Sequence, residues 1–180
     1  MPTFISGLPL HALIVHAVVV LVPLAALGSV VISLWPAARR RYGWLVVAVT
    51  AVAVGSVPLA TETGEGLRDR LEPSEAIARH ADLGGELLIF VAPLLVAVAV
   101  LNALDLYQHR RSRAEGPGAM TASRARPRVA GWVRPLTVLL AATAVLLSVG
   151  TTIQVVRIGD AGARAVWGDE EYVKPAPHGG

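Results

Sequence analysis

Four stretches of the chain carry no Asp, Glu, Lys or Arg: residues 2–38, 42–61, 87–104 and 135–156. A helix needs roughly 20 mainly apolar residues to cross ~30 Å of hydrocarbon, and all four are near or above that length. The pattern predicts transmembrane helices over residues 8–35, 43–61, 83–106 and 132–157. Trp35-Pro36 closes the first, Gly43-Trp44 opens the second, Tyr107 closes the third and Gly131-Trp132 opens the fourth. Aromatic residues at such positions suit the membrane interface. Ser74 is placed to cap a helix that starts at Glu75 and runs into the third span. The expected fold is an all-α, integral membrane four-helix bundle occupying residues 1–168. Within it, 112–127 reads as a flexible cytoplasmic connector, and 169–180 reads as a disordered tail.

Composition supports this reading. Of the 180 residues, 54% are hydrophobic and 16% charged, too few charges to cover a water-exposed surface. The first span has no basic leader and ends in Arg39-Arg40-Arg41, so it is expected to be a retained helix and not a cleaved signal. The loop after the first span and the loop after the third together hold ten of the sixteen basic residues and two of the thirteen acids. The positive-inside rule then places both arginine-rich loops in the cytoplasm and both termini outside, in a plasma or inner membrane. On this reading the arginines set topology and touch anionic lipid, and nucleic acid is not the expected partner.

The chain has no cysteine, which removes disulfides, thiolate metal sites and cysteine-held iron–sulfur clusters. The remaining candidate chemistry collects at the outer end. His11 lies at the start of the first span and His80 immediately before the third. His16 is ~7.5 Å deeper than His11 and Glu86 ~9 Å deeper than His80, at 1.5 Å per residue. An outer layer of His11, His80, Glu62 and Glu65 and an inner layer of His16 and Glu86 are expected. His11 and His16 lie ~140° apart around a helix, so a ligand shared with either should come from another helix. Simpler roles stay open: His11 as an interfacial cap, His80 as part of a polar loop, His16 as a hydrogen-bonded packing residue, and Glu62, Glu65 and Asp160 as solvated charges. His109 and His178 lie in a basic run and the tail and read as incidental. Gly28, Gly55, Gly84, Gly85 and Gly150 are candidates for close helix approach.

A weak repeat is also visible. Aligning His11 with His80 places a proline in each apolar run, Pro23 and Pro93, and matches the Thr61, Thr63 and Gly64 cluster with Gly150, Thr151 and Thr152. This suggests two parallel helical hairpins related by a pseudo-two-fold axis along the membrane normal.

Leu8-Pro9-Leu10-His11 followed by Val15-His16 resembles the opening of the membrane family called domain of unknown function 2231. Thr63-Gly64, His80 with Gly84, and Gly159-Asp160-Ala161-Gly162-Ala163 with Val166-Trp167 continue the resemblance across residues 7–168. Ala12 and Val18 depart from prolines common in that family, and Asp160 replaces a His found in some members. The resemblance implies a four-span bundle and a connection with membrane electron transfer.

Three functions compete. In the first, His11 or His16 with His80 holds haem b, or else copper or another metal ion. Glu62 is a further metal-ligand candidate, Arg79 and Arg157 pair with propionates, and a redox protein is the partner. In the second, the chain is a structural or assembly subunit that binds a membrane partner or another copy of itself. In the third, His16 and Glu86 form a relay in a proton or small-solute pathway. No nucleophile–base pair, phosphate loop or nucleotide fingerprint is present, so enzymatic activity is not the leading expectation.

Overall fold

The computed structural model describes residues 4–5, 8–114 and 129–168. The connector from 115 and the tail from 169 lie outside the described residues. A two-residue antiparallel ladder, β1 (Phe4–Ile5) with β2 (Leu8–Pro9), leads into four long helices: α1 (Leu10–Leu34), α2 (Pro36–Arg68), α3 (Glu75–Ala114) and α4 (Val129–Trp167). All four are long and apolar enough to cross a membrane.

α2, α3 and α4 run well beyond their charge-free stretches at both ends, whereas α1 lies within its own. Only Trp35 separates α1 from α2. Its extended backbone, with φ −122° and ψ 97°, and Pro36 at the first helical position make the reversal, because the residue before a proline disfavours the helical region and proline tolerates the first turn. Arg39-Arg40-Arg41 therefore sits in the first turns of α2 and not in a loop. At the outer end α2 continues to Arg68, and α3 starts at Glu75 with the Ser74 carbonyl accepting from Ala78 N–H at 3.0 Å. The expected outer loop shrinks to residues 69–74.

Arg39 corrects one expectation. It is only 7% exposed, and its Nε donates to Asp105 Oδ1 at 3.3 Å while Nη1 donates to the Ile32 carbonyl at 3.2 Å. It ties α1, α2 and α3 together at the end of the bundle where α1 turns into α2, instead of facing outward. One turn outward, a Cβ on Gly43 would lie 1.7 Å from Asn102 Oδ1. α2 can approach α3 there only because residue 43 has no side chain.

The helices form a ring in which α1 packs on α2 and α4, and α3 packs on the same two. α1 and α3 face each other across the closer diagonal. Shifting by 69 residues, which carries His11 onto His80, superposes the buried faces of α1 and α3: Val18, Val22, Ala25, Ser29, Ile32 and Ser33 correspond to Leu87, Val91, Leu94, Val98, Leu101 and Asn102. A shift of 98 does the same for α2 and α4, taking Thr50, Ala53, Ser56 and Thr63 onto Ser148, Thr151, Gln154 and Ala161. The hairpins are thus equivalent position by position, as an approximate two-fold along the bundle requires. The second helix of the repeat, however, aligns three turns away from the sequence expectation. Gly64 corresponds to Gly162 and not to Gly150, because α4 continues ten residues past 157 before it ends.

Candidate functional site

The two-fold brings His11 and His80 together at the end of the bundle opposite Arg39. Each side chain lies about 20° from the core-facing stripe of its own helix, judged by ~100° per residue, and both rings are half-buried. Their centroids are 6.4 Å apart with the rings perpendicular, at 85°. Neither ring is held by its partner. His11 Nδ1 lies 3.0 Å from the Ala60 carbonyl on α2, and His80 Nδ1 lies 3.1 Å from the Ile158 carbonyl on α4. A carbonyl only accepts, so each Nδ1 carries a proton, and in a neutral ring the lone pair then resides on Nε2.

A glycine lies behind each ring. A Cβ on Gly64 would come 3.0 Å from His11 Cε1, and a Cβ on Gly162 would come 3.0 Å from His80 Cε1 and Nδ1. Each is four residues after the carbonyl that accepts the Nδ1 proton, so bond and notch are adjacent on the same helix face. Two carbonyls, two glycines and two imidazoles make one repeated unit used twice. Sequence reasoning missed Ala60 and Ile158, since every residue has a carbonyl. Gly64 and Gly162 sat in view and needed the correct register of the repeat to be matched.

The remaining candidates lie elsewhere. His16 is exposed on the outer surface of α1 and bonds through Nδ1 to the Ala12 carbonyl of its own helix. Glu86 takes its hydrogen bond from Gln154, whose Nε2 donates to Glu86 Oε2 at 3.2 Å and to the Leu83 carbonyl at 3.0 Å. Arg157 Nη1 donates to Gln154 Oε1 at 3.2 Å. Gln154, 1% exposed, is the residue that organises Glu86, and sequence reasoning did not single it out. Arg79 and Glu62 are exposed near the outer end. Among the described residues no group of three or more His, Asp or Glu is arranged to hold a metal ion. Gly28 and Gly150 abut Val46 and Phe90, whereas a Cβ on Gly55, Gly84 or Gly85 would meet nothing within 4 Å.

Between the histidine pair and the inner Arg39–Asp105 bond, the interior is filled by Val22, Ala53, Val91, Leu94 and Val98, all fully buried. Of the buried hydroxyls at that depth, those of Ser29, Thr50 and Ser148 donate to carbonyls of their own helices, whereas Thr151 Oγ1 and, nearer Arg39, Ser33 Oγ are buried with no hydrogen-bond partner.

The family model described as predicted membrane protein (DUF2231) matches residues 7–175. The chain belongs to the DUF2231 family. Several segments that carried the resemblance in sequence meet in this site: His11 from the opening motif, Gly64 from the segment late in α2, His80, and Gly162 from the segment late in α4. No curated protein and no solved structure matches the chain.

Proposed function

We propose that this DUF2231 chain is a membrane redox module in which His11 and His80 would together hold a haem-type group at one end of the bundle. The observation that carries the reading is the matched pinning of the two rings. Metal-ligating histidines commonly donate their other N–H to a carbonyl, which fixes the tautomer and raises ligand basicity, and both rings here do so. The two rings lie 6.4 Å apart, centre to centre, and each would offer its Nε2 lone pair to the group. Two imidazoles leave a bare ion under-coordinated, and no third ligand converges among the described residues. A haem-type group, which would bring its own nitrogen donors, suits a pair of imidazoles better than Zn²⁺ or Cu²⁺ would. When bound, such a group supplies a one-electron couple. The protein contributes two oriented ligands, with Arg79 and Arg157 as cationic groups for acidic substituents. The packed apolar interior argues against a conduit.

A second reading has a specific observation behind it. Each histidine is also a clamp between neighbouring helices, which a purely structural subunit would need. The two readings separate on the variants His11→Asn and His80→Asn, in which Asn Nδ2 can occupy the place of His Nδ1 and nothing replaces Nε2. For the redox module, the purified chain shows a Soret band near one haem per chain, and each variant loses it while staying helical and monodisperse. A wild-type chain produced with ample haem that shows neither a Soret band nor stoichiometric metal refutes the redox reading and leaves the clamp.

A further inference from the structure

His16 and Glu86 remain outside the paired-histidine site, and both are exposed. The stretch 42–61 of α2, free of charged residues, is ~30 Å long at 1.5 Å per residue. Ala60, the partner of His11, sits at one end of it, while the charge-free stretches of α3 and α4 end at Glu86 and Arg157, so the apolar slab begins between the histidine pair and the Glu86 layer. His16 and Glu86, ~7.5 and ~9 Å further in, stand where that slab begins, on helices that cross it. Ionisable side chains at such depth normally face a partner or a cavity. His16 uses Nδ1 on the Ala12 carbonyl, and Glu86 uses Oε2 on Gln154. Among the described residues His16 Nε2 and Glu86 Oε1 take no hydrogen bond, and one shared proton would satisfy both.

We propose that the uncovered faces of α1 and α3 are the two sides of one head-to-tail interface between copies of this chain, with His16 of one copy entering the recess at Gly85 beside Glu86 of the next. The internal symmetry supplies the geometry. His16 and Gly85 are equivalent under the 69-residue shift, so an axis along the bundle points them in opposite directions. A neighbour displaced along that line presents its Gly85 face to His16 without needing to turn. A Cβ on Gly85 would meet nothing within 4 Å, which leaves room for an imidazole next to the carboxylate. The flanking positions match as well: Val20 and Ile89 are 64% and 68% exposed, and Leu27 and Val96 are both 63% exposed. These pairs also differ by 69 residues, so an apolar row on one copy faces an apolar row on the next. A contact of this type is heterologous: repeated with no turn it builds an open row, and a small turn between successive copies closes a ring. This interface does not depend on whether iron is bound.

The chain's lack of cysteine makes the test direct. Two differently tagged copies, one Val20→Cys and one Ile89→Cys, are co-expressed and oxidised in the membrane. The expected product is the mixed disulfide between tags, with little Val20→Cys or Ile89→Cys self-product. Glu86→Gln or His16→Leu should lose the cross-link, and the exchanged pair His16→Glu with Glu86→His should recover it. The unsubstituted chain in lipid nanodiscs should have an oligomeric mass by native mass spectrometry. A monomeric mass, or cross-linking through like positions, overturns the interface.

Discussion

The glycine notches behind the two histidines give a prediction with two opposing contributions of known size. Replacing glycine by alanine inside a helix gains about 0.5–1 kcal/mol from backbone entropy. At Gly64 and Gly162 the new methyl would stand 3.0 Å from His11 and His80 ring atoms, tighter than van der Waals contact. Overpacking of this kind costs about 1–3 kcal/mol. Moving a ring away stretches an interhelical hydrogen bond of 3.0 or 3.1 Å, and such bonds in membranes contribute ~0.6 kcal/mol on average and ~1.7 at most. The unfavourable side is the larger, so after the entropic gain is subtracted Gly64→Ala and Gly162→Ala should each destabilise the bundle by up to about 2.5 kcal/mol, and by similar amounts because the two environments are equivalent. Gly55→Ala, whose methyl meets nothing, serves as the control and should be neutral or slightly stabilising. Unfolding by SDS in mixed micelles, followed by circular dichroism, measures all three. Combining Gly64→Ala with His11→Ala removes the clash, so the pair should be non-additive by about 0.5–3 kcal/mol. If Gly64→Ala and Gly162→Ala behave like Gly55→Ala, the rings are not seated against these helices, and the site as described is wrong.

Two further outcomes follow from other contacts. Arg39→Gln should cost about 1–3 kcal/mol, below the ~3–5 of a fully buried pair because Asp105 keeps partial solvent access, and Arg39→Met with Asp105→Leu should recover most of it in the same SDS titration. Gln154→Leu removes both donations from α4 to α3. It should cost about 1–2 kcal/mol and speed hydrogen exchange at the outer end of α3; unchanged exchange there would argue against Gln154 as the tie between those helices.

Much of the architecture was legible along the chain. Four charge-free runs, their aromatic ends and the lopsided arginines define four spans, since hydrocarbon admits only helices whose backbone bonds are internally closed. The spacing of His11 and His16 already implied that the two point different ways, and in the bundle one is half-buried against the neighbouring helices and the other exposed on the bundle surface. The partners of these residues were not legible. An acceptor such as the Ala60 or Ile158 carbonyl has no sequence signature, and which glycine receives an imidazole depends on how far α4 slides along α3. Arg39 looked like its neighbours Arg40 and Arg41 until the turn at Trp35 aimed it at Asp105. Glu86 looked like a partner for His16 until the helix rotations gave it to Gln154. Local sequence decides whether a segment is a membrane helix, because that depends on its own transfer from water to lipid. Register and rotation between helices depend on the summed fit of faces distant in sequence, and only the packed bundle resolves that sum.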